Sequence, residues 1–225
     1  MKKQLLIVEG KEDAIVIGTL VKHKELFVLE IPGRNEKKSA LPIIQGRNYE
    51  GVSNLLERLE DDLTVDLKAG YNNIAIVLDA DTNIQSQWEA VRNRLLNLDF
   101  DVPKYPNTEG VVILHLTDDT KKVGVWLMPD NNLNGMLEDF VKMLVPDDDL
   151  MLVKATAIVQ EIKVDIPETM RFKDVHLAKA EIHTWLAWQE DPGSPMGQAI
   201  MKKYLNTNNE TCQRFLAWLK AVFSI

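Results

Sequence analysis

The residues with the clearest chemical potential in this chain are three acids at the ends of two apolar runs. Residues 5–8 (LLIV) lead into Glu9 and Gly10, and residues 74–78 (IAIVL) lead into Asp79, Ala80 and Asp81. Carboxylates brought together repel one another unless a cation sits among them. An all-oxygen donor set suits a hard divalent ion, Mg²⁺ first and Mn²⁺ next. Two such ions ~3.5–4 Å apart can hold the attacking and leaving oxygens of a displacement and offset the growing charge. Asp79 and Asp81 would coordinate metal from one strand exit, while Glu9 either bridges ions or acts as a general base.

The elements that must position these acids can be read from the same runs. An apolar stretch without polar alternation suits a strand buried on both faces of a parallel sheet. Acids at the exits of such strands fall in the crevice at their carboxyl ends, where open α/β sheets bind ligands. Apolar spacing predicts a helix after Gly10, through Ala14, Ile17 and Val21, and a second strand over 26–31, which together make a crossover unit. Residues 32–49 read as a polar loop with one short strand near Ile43 and Ile44. A helix over 52–67 precedes the second acidic strand, and another runs through Trp88, Val91 and Leu95. Residues 111–116 and 122–128 flank TDDTK with the spacing of a hairpin, extending the sheet by an antiparallel pair. The helix in GMLEDFVKMLV ends at Pro146, and beyond it the pattern is all helical: 149–164, 174–189, 196–205 and 211–223. The expected organisation is an α/β domain over 1–146 and a helical cap or extension over 147–225. The apolar faces of those last helices suit a homo-oligomer as well as a cap.

Composition sets bounds. At 45% hydrophobic and 27% charged, the 225 residues read as an ordinary globular protein. A net charge of -8 argues against nucleic-acid binding by bulk positive charge, though not against a nuclease whose metal offsets local acid. The lone Cys212 excludes an internal disulfide, fits a reducing cytoplasm, and reads as a packed thiol. The N-terminal apolar run stops at Glu9, too short for a signal-peptide core or a membrane span.

The pair VEGKED and VLDAD resembles the Toprim domain, the metal-binding α/β module of primases, topoisomerases, the ribonuclease that matures 5S ribosomal RNA, and OLD-type nucleases. Its first motif, a strand ending in Glu-Gly, corresponds to Glu9 and Gly10. Its second, a strand ending in Asp-x-Asp, corresponds to Asp79, Ala80 and Asp81. The resemblance covers about residues 4–145 and lies nearest the small OLD-like and ribonuclease-like members. The glycine that follows Asp-x-Asp in primases is replaced by Thr82, which favours a nuclease over a primase.

The resemblance implies a Toprim-like, Rossmann-like, mostly parallel sheet flanked by helices, and Mg²⁺- or Mn²⁺-dependent cleavage of DNA or RNA. By analogy with OLD-type nucleases, Asp13 and Glu138 would complete a second metal site, with Asp139 and Asp130 as weaker candidates. Lys179 would be a functional cation on a later helix, where it shares a face with His176 and His183. Arg34, Lys37, Lys38 and Arg47 would form a basic rim able to meet phosphates. Asp118 and Asp119 read as solvated turn residues, and Trp126, Trp185, Trp188 and Trp218 as packing residues. Two alternatives use the same site: nucleotidyl transfer of the primase kind, or a non-catalytic subunit working with a separate ATPase. The chain itself has no GxxxxGK[ST] phosphate loop.

Overall fold

A computed structural model of the chain describes residues 3–33 and 39–225. Its centre is a six-stranded sheet formed by β1 (Lys3–Val8), β2 (Val28–Glu30), β3 (Ile43–Asn48), β4 (Tyr71–Asp79), β5 (Val111–His115) and β6 (Asp118–Met128). The spatial order is β2-β3-β1-β4-β6-β5, parallel throughout except that β5 returns antiparallel to β6 as the edge of a hairpin. The helices are α1 (Lys11–His23), α2 (Val52–Lys68), α3 (Ile84–Asn97), α4 (Leu137–Met143), α5 (Leu150–Asp165), α6 (Leu177–Ala187), α7 (Met196–Met201) and α8 (Glu210–Phe223).

The unbroken apolar runs are explained by burial on both faces. Leu5 and Ile7 of β1 join Ile74, Ile76 and Leu78 of β4 in a core shared with Leu55, Leu59, Trp88 and Val91 of α2 and α3. Leu6 and Val8, with Ala75 and Val77, face the opposite layer, where α1, α4, α6, α7 and α8 pack. Side chains alternate faces along a strand, so both parities must be apolar where both faces are covered. Three helix starts are fixed by side-chain caps: Asn83 accepts from the Ser86 N–H, Asp149 from the Met151 and Leu152 N–H groups, and Asn209 from the Cys212 N–H.

Several expectations shift. The strand expected over 26–31 is confined to Val28–Glu30, and the helix expected from 174 opens with a 3₁₀ turn over Asp174–His176. Gly46, Arg47 and Asn48 lie in β3 rather than in a loop, because Leu6, Ile7 and Val8 of β1 pair with them; β2 pairs only with Ile43, Ile44 and Gln45. The tail after Pro146 shares the main core. Phe215, Trp218, Val222 and Phe223 of α8 lie with Leu6 and Trp126 of the sheet. Gly124 of β6 makes room for this contact: a Cβ there would stand 2.2 Å from Val222 Cγ2. Among the described residues, no helix is long and apolar enough to cross a membrane.

Candidate functional site

Pairing of Val8 with Val77 places the exits of β1 and β4 side by side. Glu9 Oε1 accepts a hydrogen bond of 2.8 Å from the Asp79 N–H. The Glu9 carbonyl accepts from the N–H groups of Tyr49 and Gly51, at 3.0 and 3.1 Å, anchoring the turn from the other side. Gly10 caps α1, and Asp13 in its first turn leans back: a Cβ on Gly10 would stand 2.9 Å from Asp13 Oδ2. Asp13 Oδ1 is buried with no hydrogen-bond partner among the described residues.

The opposite wall comes from the start of α4. Asp79 Oδ1 accepts from the Leu137 N–H at 2.9 Å. The next residue, Glu138, is buried and takes Lys179 Nζ of α6 at 2.8 Å on its Oε1. Asp81 sits in the left-handed region (φ 51°), which aspartate tolerates better than most residues. It is pinned to Gly135 by two backbone hydrogen bonds of 2.8 Å, and its Oδ2 accepts from Gln87 Nε2 at 3.0 Å.

Burial and mutual repulsion make these acids costly to ionise. Burial pushes the Glu9 carboxyl up to about 7; the Asp79 N–H opposes this, and Asp13 and Asp81 add to it. Asp13 is raised to about 6, first by burial and then by Glu138, against the pull of backbone N–H groups. Asp79 is raised well above the usual carboxylate range by burial, then by Glu9, Asp13, Glu138 and Asp81. Asp81 is raised by burial, and Gln87 partly offsets this. Lys179 is held cationic chiefly by Glu138, and Glu12 and Asp79 add to the effect.

This donor set has the chemistry of a hard divalent-ion site: buried carboxylates, one orphaned oxygen, and raised proton affinities that a dication would reverse. As the side chains stand, no group of three His, Cys, Asp or Glu among the described residues is placed to hold an ion. Glu9 Oε1 is engaged by a backbone N–H and Glu138 Oε1 by Lys179, and each carboxylate keeps a second oxygen.

Glu9, Asp13, Asp79, Asp81, Glu138 and Lys179 thus belong to one end of the sheet. Other candidates lie elsewhere or are engaged. Asp139 caps its own helix, accepting from the Met136 N–H at 3.0 Å. Asp130 accepts from the Asn132 and Leu133 N–H groups, closing a turn. Asp118 likewise accepts from Thr120 in the hairpin. Arg47, in β3, forms a bidentate pair with the buried Asp66, at 2.6 and 2.8 Å, which offsets its charge while its own side chain stays partly exposed. Arg34, Lys37 and Lys38 lie outside the described residues. His176 and His183 are exposed; Trp126, Trp185 and Trp218 are buried in the core, while Trp188 is partly exposed. Cys212 is buried, and its thiol is pushed up to about 11.

Sequence patterns missed a second contact between α4 and α6. Glu181, only 3% exposed, pairs with Lys142 and accepts from Gln160 Nε2 at 3.0 Å. The available signal was an acid within the apolar face Ile182, Trp185 and Leu186 of α6. Beside this contact a cleft of about 810 Å³ runs from Asp81 and Thr82, past Met136, to Leu177 and Glu181.

No curated protein matches the chain. Among solved structures, it is similar to a crystal structure of hypothetical protein PH0156 from Pyrococcus horikoshii OT3. The two share 18% identity over 99% of this chain and 96% of that one, with a TM-score of 0.49. A family model described as "Protein of unknown function (DUF3226)" matches residues 3–224. The chain belongs to the DUF3226 family.

Proposed function

We propose that the fold is of the Toprim type and that the protein is a divalent-metal-dependent nuclease hydrolysing phosphodiester bonds of DNA or RNA. The observation that carries this reading is the meeting of Glu9 and Asp79 across adjacent strands, with Asp13 and Glu138 close enough to raise the Asp79 carboxyl. Glu9, Asp79 and Asp81 would hold a first ion, and Asp13 and Glu138 would complete a second site. When bound, Mg²⁺ or Mn²⁺ supplies Lewis-acid stabilisation of the charge that grows on phosphate oxygens.

The chain's own residues have distinct tasks. Asp79 is held by the Leu137 N–H, so its carboxylate stays aimed at the site. Glu9, beside Asp79, would act either as a ligand of the ion or as the general base of the reaction. Lys179 brings a cation to the same acids from α6 and can meet a phosphate once Glu138 is otherwise engaged. The cleft beside Asp81 gives the substrate strand an approach to this end of the sheet.

The test is cleavage of plasmid DNA and of structured RNA by the purified chain with Mg²⁺ or Mn²⁺. Cleavage that stops with EDTA and is lost in the Asp79→Ala/Asp81→Ala double variant is expected. Undiminished cleavage in the double variant, or no cleavage of either substrate with either metal, overturns the reading.

A further inference from the structure

We propose that α5 is a homodimer interface, packed antiparallel against the same helix of a second copy. The inference rests on the outer face of α5 and is independent of the metal site. The helix is buried through Ala155 and Val159 only. On its other side Leu150 is 74% exposed, Val153 60% and Val164 73%, with Ala157 exposed between them. Their spacing follows the heptad rhythm of a helix-pairing seam. A solvent-facing helix normally turns polar residues outward, so this stripe calls for a cover.

The charges name the cover. Lys154 and Glu161 are exposed and lie two turns apart along the same face. They stand at equal steps either side of the point between Ala157 and Ile158. A twofold axis through that point sets Lys154 against the partner subunit's Glu161, and Glu161 against the partner subunit's Lys154. The same operation brings Ala157 to the crossing, where a small side chain lets the backbones approach. Parallel pairing would set lysine on lysine and glutamate on glutamate, so the charges select the antiparallel arrangement. A patch complementary to itself is what a twofold, isologous interface requires. A helix of this length spans only about 24 Å, so the association is modest and depends on concentration.

The experiment is sedimentation velocity of the full chain from about 1 μM to about 1 mM. Dimer formation across that range is expected. Lys154→Glu and Glu161→Lys, each creating two like-charge contacts, should each weaken it by about tenfold or more. Combining them should restore wild-type association. Both sites are exposed, and unchanged thermal melting of each variant shows that the fold is intact. A monomer throughout the range, a dimer indifferent to Lys154→Glu, or a double variant as weak as the singles would overturn the proposal.

Discussion

The carboxylate of Glu9 accepts a hydrogen bond from the backbone N–H of Asp79, 70 residues further along the chain, across two adjacent parallel strands. That bond joins the two acid-tipped segments on which the functional reading depends. It also holds Glu9 in a place where Asp13 and Asp81 oppose its ionisation. Without a cation, the site is electrostatically unfavourable in its charged form.

Stability of the metal-free protein should therefore fall as pH rises through neutrality. Glu9 and Asp13 have folded-state proton affinities raised from 4.5 to about 7 and from 3.8 to about 6. The folded chain thus binds more protons than the unfolded one between those values. The stabilisation is complete below the unfolded values and is lost as pH climbs through the folded ones. Thermal melting in EDTA should give a Tm about 5 °C or more higher near pH 5 than near pH 8. Glu9→Gln should flatten that slope. A Tm that rises over this window would contradict the arrangement.

Lys179 serves as the internal counter-charge of Glu138. Lys179→Met leaves that buried carboxylate unpaired, and the lysine is half-exposed, so the cost should be about 1 kcal/mol in the metal-free state. Competition for Glu138 also ends, so Mn²⁺ affinity measured by calorimetry should rise severalfold while any cleavage activity falls. Reduced Mn²⁺ affinity in this variant would show that the lysine does not compete with the ion. The neighbouring Lys142–Glu181 pair still ties α6 to α4 in Lys179→Met, so the site should keep its frame.

Packing of α8 on the sheet is tested at Gly124. An added Cβ meets Val222 at 2.2 Å and the Trp218 ring at 3.1 Å. Gly124→Ala should cost about 2–3 kcal/mol through overpacking. Partial relief is expected when Val222→Ala is added, which a double-mutant cycle would read as coupling. Additive effects would mean that α8 does not depend on this contact.

The two acidic strands and the hairpin were legible because double-sided burial leaves long apolar runs and a polar turn marks their reversal. β3 was legible only at its start, near Ile43 and Ile44: its Gln45-Gly46-Arg47-Asn48 stretch is strand because β1 supplies backbone partners, which leaves no side-chain pattern. Arg47 looked available to phosphate since its neutralising partner, Asp66, lies on α2, 19 residues away. The apolar positions of α8 were visible, but what they cover depends on the space at Gly124, which periodicity does not reveal. At the site, Glu9, Asp79 and Asp81 followed from strand endings. That Lys179 reaches Glu138 required the packing of α6 on α4, and that Asp139 and Asp130 are spent on backbone N–H groups required the turn geometry.

The central proposal is that a divalent cation belongs among Glu9, Asp79 and Asp81, with Asp13 and Glu138 completing a second site beside it. The direct measurement is a crystal grown or soaked with Mn²⁺, with anomalous diffraction collected at its absorption edge. The account predicts a peak bounded by the carboxylates of Glu9 and Asp79, with Glu138 released from Lys179, and loss of the peak in Asp79→Asn. A saturating soak that leaves those carboxylates without a peak, with Glu9 still on the Asp79 N–H and Glu138 still on Lys179, would contradict it.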